Sequence, residues 1–216
     1  MNLLDMLENH VPTDEQERRS RDRALQFIHT HREAFDERAH KKHITVSALV
    51  LNQDKTKFLL MRMTQESPWQ PVTAHCKGNR EILDVVTHSV GVETGIINVE
   101  PITALLCDVD VVTSQASVFD VAHRHYDMRY ILHAATESPP RPPISNRARQ
   151  FRWFSFDEAL PPLDHGIMRF IDKCKELAGY VETPKKVVPA EKANTPPLRR
   201  FIPAPPQNFD EQEPSA

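Results

Sequence analysis

The segment 69–96 constrains this chain more than any other, because its middle and its end point to different structures. Its middle, residues 82–92, is rich in β-branched side chains and contains Gly91. Propensity alone favours a strand there as much as a helix. The end reads Glu-Thr-Gly-Ile over residues 93–96. The surrounding sequence must therefore decide how this segment folds.

Alternating and β-branched residues predict strands on both sides of that segment. The predicted strands cover residues 43–51, 57–63, 101–112, 125–134 and 151–154. A helix is expected over 165–177, where apolar residues recur on one face. Strands mixed with a few helices predict an α+β sandwich.

The two ends of the chain differ from this middle part. An apolar stripe near the start predicts a short helix, and Thr13 with Gln16 resembles a capping box that begins a second helix ending near residue 29. Many of the 18 prolines lie after residue 180, in a segment without periodicity. We expect residues 181–216 to form a disordered tail, within which 198–203 is a candidate docking motif for a protein partner.

Composition excludes several classes of protein. The net charge of −3 does not favour a nucleic-acid binder, and no apolar run approaches the ~20 residues of a membrane helix. The first residues lack the order of a signal peptide. The three cysteines are widely spaced and are expected to be reduced thiols, which fits a cytoplasmic protein.

The segment 69–96 resembles the box of the Nudix hydrolases, G-x5-E-x7-R-E-U-x-E-E-x-G-U, where U is apolar. Placing the final Gly-U pair on Gly95 and Ile96 fixes the register of the other positions. In box order they fall on Ala74, Arg80, His88, Ser89, Val90, Val92 and Glu93. Only Glu93 keeps an acid of the box, and the resemblance makes residues 82–92 a helix.

Motifs outside the box extend the resemblance to about residues 40–177. One Nudix subgroup carries H-x-T-A-S, W-x-x-P-G-G-H and H-Y-D-x-R-Y, and these correspond here to 43–48, 69–75 and an intact 125–130. The resemblance implies a Nudix-type α/β/α sandwich with a mixed sheet over 40–180. Residues 1–39 would then be a helical extension, and 181–216 the tail.

The chemistry of the family explains why lost acids matter. Nudix enzymes cleave nucleoside-diphosphate-linked compounds with Mg²⁺ or Mn²⁺, which neutralises the diphosphate and activates water. The resemblance leaves Glu93 as the candidate catalytic residue and the candidate metal ligand. Cations at Lys77, Arg80 and Arg147 stand where relatives often carry acids, so we expect weak Mg²⁺ binding.

Two rescues of metal binding stay open. Glu81 or Asp84 replaces a box acid if the register shifts. Alternatively, His75, His88 and Glu93 recruit a softer ion such as Zn²⁺. No cofactor is otherwise expected.

A second candidate surface lies on the strand predicted over 125–134. His123, His125, Asp127 and Arg129 alternate in sequence, so on a strand they share one face. In the resemblance this face looks towards the ligand cavity. The predicted ligand-binding residues are His75, Lys77, Arg80, His123, His125, Asp127, Arg129 and Arg147.

Three functions are compatible with these features. The first is a Nudix-fold protein that binds a nucleoside-diphosphate-linked or other phosphorylated ligand with weak or no hydrolysis. The second is an active Mg²⁺- or Mn²⁺-dependent hydrolase of a nucleoside-diphosphate derivative. The third is an interaction scaffold with a vestigial cleft.

Overall fold

A computed structural model describes residues 2–38, 41–114, 122–135, 140–141 and 149–181. Two expectations from the sequence lie outside these residues: the ligand-binding role of Arg147, and the tail from residue 182 onward. The predicted domain boundaries at 39–40 and 180–181 stay predictions.

The described residues contain four helices and seven strands. The helices are α1 (Leu3–Asn9), α2 (Glu15–Thr30), α3 (Ile82–Thr94) and α4 (His165–Leu177). The strands are β1 (Lys42–Leu51), β2 (Lys57–Arg62), β3 (Val72–His75), β4 (Val99–Pro101), β5 (Asp108–Thr113), β6 (Arg124–Ala134) and β7 (Gln150–Ser155). Among these residues, no helix is both long and apolar enough to cross a membrane.

One mixed sheet contains all seven strands. Its order is β4-β6-β1-β2-β7, with β3 also paired to β1 and β5 also paired to β6. The pair β1–β6 is parallel and the other pairs are antiparallel. Within the parallel pair, His43 lies beside His125 and Ser47 lies beside Arg129. The central strands β1 and β6 therefore carry the polar residues singled out in the sequence.

The sheet is covered on both faces, which confirms the predicted α/β/α sandwich. Side chains alternate along a strand, so Val46 and Leu49 of β1 belong to opposite faces. Val46 packs in a core with residues of α1, α2 and α3. Leu49 packs in a second core with Phe170 and other residues of α4. Burial of these two apolar faces is the main force that holds the layers together.

The segment 82–92 is a helix, as the resemblance implied and propensity did not. Ile82, Val86 and Val90 are buried at a spacing of four residues, which a helix places on one face. The helix ends at Gly95, whose φ of 72° is left-handed and suits glycine. A side chain there would also meet the backbone carbonyl of Arg141.

Local details at three places differ from the expectation. The second helix is capped by Asp14, whose carboxylate accepts from the Glu17 amide, so the predicted capping box on Thr13 is wrong by one residue. The single strand predicted over 101–112 is two short strands, β4 and β5, separated by an irregular stretch. Strand β3 was not predicted, because four residues are too few for a clear alternation.

Candidate functional site

Helix α3 contains two acids, Asp84 near its start and Glu93 near its end. In the register predicted from the sequence, the three late acid positions fall on Ser89, Val92 and Glu93, and Val92 is 50% exposed. Glu93 forms an ion pair with Arg149, the residue before β7, and both side chains are about one fifth exposed. Arg149 was not among the predicted site residues, although it lies two residues after Arg147, which was. The last carboxylate of the box is thus matched by a guanidinium of the same chain.

The loop before α3 is cationic and has a defined backbone. Lys77 and Gly78 adopt positive φ angles of 51° and 86°. The Gly78 amide donates to the Phe35 carbonyl at 2.8 Å. Arg80 donates to the Arg32 carbonyl at 3.1 Å, and its guanidinium lies 5.1 Å from the centre of the Phe35 ring. The two predicted cations are exposed next to the N-terminus of α3.

Arg129 lies in a buried network of charges rather than on an open surface. Its guanidinium contacts Asp108 at 3.1 Å, Asp110 at 3.2 Å and Asp127 at 2.9 Å. It also donates to the Gly166 carbonyl at 2.9 Å. Arg129 is only 2% exposed. Burial alone would lower the pKa of Arg129, but the surrounding carboxylates raise this pKa by more than burial lowers it. The side chain therefore stays charged.

Two cations of α4 extend these contacts to helix α2 and its capping residue. Arg169 pairs with Asp108 at 2.7 Å and with Asp14 at 3.3 Å, and Lys173 pairs with Glu17 of α2. Burial raises the pKa of Glu17, but hydrogen bonds from His10 and Lys173 outweigh it and hold that pKa well below its usual range. We call this set the charged network; its members are Asp14, Glu17, Asp108, Asp110, Asp127, Arg129, Arg169 and Lys173.

Asp127 joins the charged network to a polar layer on β1. Its carboxylate accepts from Thr45 at 2.9 Å and from Ser47 at 2.8 Å. Asp127 is 4% exposed. A ligand would reach Asp127 or Arg129 only by displacing these partners.

The other two residues of the predicted surface belong to a group of four imidazoles. This histidine cluster consists of His43, His75, His123 and His125, and one candidate ligand atom from each lies within 4.8 Å of the others. Adjacent rings are separated by 4.6 to 5.2 Å between their centres. It is the only group of three or more His, Cys, Asp or Glu residues with metal-binding spacing in the described part of the chain.

Neighbouring residues orient the outer members of the histidine cluster. Nδ1 of His75 lies 3.1 Å from the Glu37 carboxylate, and Nδ1 of His123 lies 3.0 Å from the Ser114 hydroxyl. Burial, together with the other three imidazoles, lowers the pKa of His125 to about 3. Its imidazole is therefore neutral at physiological pH.

The structure brings together some of the predicted residues and separates others. His75, His123 and His125 meet, and His43 joins them. The trio proposed for a soft ion does not form, because His88 and Glu93 are not in that group. Arg169, Lys173 and Glu37 were missed, since their partners lie far away in sequence and no local pattern marks them.

Comparisons with known proteins agree with this architecture. The family model described as NUDIX domain matches residues 41–174. No curated protein matches the chain.

Solved structures that match this chain include three hydrolases. A NUDIX-family hydrolase from Clostridium perfringens has 17% identity and a TM-score of 0.45, over 62% of this chain and 97% of that one. A MutT NUDIX hydrolase from Burkholderia pseudomallei has 18% identity and a TM-score of 0.43, over 60% and 95%. A Nudix hydrolase from M. smegmatis has 12% identity and a TM-score of 0.46, over 67% and 90%.

Proposed function

Because the chain belongs to the NUDIX domain family, we propose that it binds a nucleoside-diphosphate-linked or other phosphorylated ligand and hydrolyses it weakly or not at all. One observation carries this proposal: Glu93, the one acid left in the box, is ion-paired with Arg149. The neighbouring box positions, Ser89 and Val92, supply no carboxylate.

This arrangement disfavours Mg²⁺ at the box. A hard divalent cation needs several oxygen ligands, and carboxylates supply them best when a diphosphate must also be bound. Here Mg²⁺ would have to displace the Arg149 guanidinium and then lie close to its positive charge. The described residues contain no group of three or more acids with metal-binding spacing around Glu93.

The acids at the start of α3 do not compensate. Asp84 lies nine residues before Glu93 in the same helix. At a rise of about 1.5 Å per residue this separates them by about 13 Å along the axis, so one ion cannot bind both. Glu81 precedes the helix and is farther away. A shifted register therefore does not restore a group of neighbouring acids around Glu93.

The loop before α3 supports the binding half of the proposal. Lys77 and Arg80 are exposed beside a helix N-terminus, where backbone amides and the helix dipole favour anions. Arg80 is already held against Phe35, so less side-chain entropy is lost when it contacts a phosphate. Fixed cations would thus neutralise phosphate charge in place of a metal ion. Asp127 and Arg129 have no part in this proposal, because both are buried.

The test is a thermal-shift screen of the full chain against nucleotides, dinucleotides and sugar nucleotides. Each ligand is measured with Mg²⁺, with Mn²⁺ and with EDTA, and the products are analysed for released phosphate species. We expect a ligand-induced rise in melting temperature that does not need Mg²⁺ or Mn²⁺, with little or no product. Arg80→Ala should weaken binding by roughly tenfold, as expected for the loss of one charge-assisted contact worth about 1.4 kcal/mol.

Arg23→Ala is the matched control, because Arg23 is an exposed arginine of α2 outside this loop. Glu93→Gln should leave ligand binding within about twofold of the original. The proposal fails if ligand binding requires Mg²⁺ or Mn²⁺, product accumulates, and Glu93→Gln abolishes turnover. That result would establish the active hydrolase instead.

A further inference from the structure

The histidine cluster is separate from the box and is not explained by phosphate binding. His43 is 2% exposed on the central strand β1, and the three other imidazoles are partly buried around it. Four imidazoles carry no complementary charge among themselves. Burying them together costs desolvation that a bound cation would offset.

The strand register explains why the four rings converge. His43 pairs with His125 across the parallel strands β1 and β6. His75 pairs with Thr45, two residues from His43 and on the same face of the sheet. His123 precedes His125 by two residues and is directed to that same face. The cluster therefore joins β1, β3 and β6 at one end of the sheet.

The hydrogen-bond partners of the outer rings are compatible with a lone pair directed into the cluster. The Ser114 hydroxyl lies 3.2 Å from the His123 carbonyl oxygen and 3.0 Å from His123 Nδ1. When its single proton goes to the carbonyl, Ser114 accepts from Nδ1, and the His123 lone pair is on Nε2, which lies 2.7 Å from Nε2 of His125. The Glu37 carboxylate lies 3.1 Å from Nδ1 of His75 and can only accept, so it favours a proton on Nδ1 and, in the neutral ring, a lone pair on Nε2.

A carboxylate or hydroxyl on one nitrogen and a metal on the other is the usual surrounding of a metal-binding histidine. We propose that His43, His75, His123 and His125 bind one divalent transition-metal ion of the Zn²⁺ class. Glu37 and Ser114 are positioning residues that hold His75 and His123 in the required tautomer. The site goes beyond the proposed function, because it does not involve α3 or the phosphate.

The geometry selects the class of ion. Imidazole nitrogen suits Zn²⁺, and four such ligands match its preferred tetrahedral coordination. With Zn–N bonds of about 2.05 Å, tetrahedral nitrogens lie about 3.3 Å apart. The cluster already places the candidate nitrogens within 4.8 Å, so small side-chain rotations bring them to the ion. Four protein ligands complete the coordination, so the ion fastens β3 to β1 and β6 and activates no water.

The experiment uses the full chain without an oligohistidine tag, freed of metal and titrated with Zn²⁺ by isothermal calorimetry. We expect one tight equivalent per chain and a rise in melting temperature with Zn²⁺ alone. His123→Ala and His125→Ala should each lower the affinity at least tenfold. His133→Ala is the matched control: it removes another histidine of β6, which bonds the Gln53 carbonyl instead.

Glu37→Gln tests whether Glu37 positions His75. It should lower the Zn²⁺ affinity about tenfold without changing the melting temperature of the metal-free chain. Co²⁺ provides a readout that needs no variant. Its visible spectrum should show tetrahedral coordination without a thiolate charge-transfer band, because Cys76 is not among the ligands. NMR of the histidine side chains should show that Zn²⁺ shifts these four rings selectively.

The proposal is overturned if the original chain binds no stoichiometric Zn²⁺, or if Zn²⁺ leaves the four rings unchanged in the NMR spectrum. It is also overturned if His125→Ala folds and binds Zn²⁺ as tightly as the original chain. The two sites are tested by different observations. A melting temperature that EDTA lowers in the absence of ligand reports on the histidine cluster, whereas Mg²⁺-dependent turnover reports on the box.

Discussion

Strand β6 carries two polar regions of opposite character on one face. At its start, His125 and the preceding His123 lie among other imidazoles. A few residues later, Asp127 and Arg129 lie among charges of both signs. In the charged network, acidic and basic side chains pair with each other, whereas the histidine cluster brings together four side chains of the same kind. We infer that buried polar residues on one strand have two uses. Those of the charged network neutralise each other, and those of the histidine cluster bind a metal ion.

The strongest way to break this comparison is to open the charged network. Arg129→Met removes the guanidinium that is paired with the buried Asp127 carboxylate, whereas Asp108 and Asp110 keep Arg169 as a weaker share of their compensation. We expect a loss of about 4 kcal/mol in the free energy of unfolding, because an uncompensated buried charge is costly. Urea denaturation measures it. A loss below about 1 kcal/mol would mean that water already reaches these carboxylates.

The close approach of α4 to the charged network is tested by Gly166→Ala. A β-carbon at Gly166 would overlap Oδ2 of Asp110, which is held by Arg129. We expect a destabilisation of about 2 kcal/mol from this overpacking. Gly91→Ala in α3 is the matched control: its added carbon would meet only the Ile96 carbonyl, at 3.7 Å. That control should be neutral or slightly stabilising, and equal losses for the two variants would contradict the argument.

The thiol beside the charged network gives a smaller, pH-dependent effect. Burial raises the pKa of Cys107 to about 11, and the nearby charge of Lys173 limits the rise. The thiol ionises first in the unfolded chain, so stability is unaffected below about pH 8 and falls above about pH 9, through the interval up to the folded pKa. We expect Cys107 to contribute about 1 kcal/mol to this fall by pH 10.

Unfolding measured at pH 8 and pH 10 gives this contribution as the difference between the original chain and Cys107→Ala. The variant should lose less stability on going to pH 10. An identical decline in both proteins would show that Cys107 ionises in the folded state as readily as in the unfolded one.

The smallest effect is expected for the same chemical change at the surface. Arg152 pairs with Glu158 at 2.9 Å and is 56% exposed, so water and salt screen the pair. Arg152→Met should cost less than about 1 kcal/mol, including the loss of its contact with the Phe154 ring. Parallel urea titrations with Arg129→Met make the comparison direct. If both arginines cost the same, burial is not what distinguishes the charged network.

Sequence reasoning predicted the layers of the fold better than the contacts of the site. Alternation placed His125, Asp127 and Arg129 on one face, and β6 has that arrangement. The box register made residues 82–92 a helix, and the buried spacing of Ile82 and Val86 agrees. The ligand-binding role of the residues on β6 stays a prediction. Asp127 and Arg129 are buried, so a ligand has no exposed surface of these two residues to contact.

The sequence by itself predicted the family and most of the sheet-forming segments, because these are local patterns of residue type and spacing, and the loss of acids from the box stays a prediction. Only the tertiary structure decided the partners: Arg149 for Glu93, Arg169 and Lys173 for the carboxylates, and His43 with His75 for the histidines of β6. Alternation along a strand says which face a side chain occupies, but not what covers that face. The segments that cover a face are often distant in sequence, and their packing decides whether a charged side chain is buried in ion pairs or exposed to a ligand.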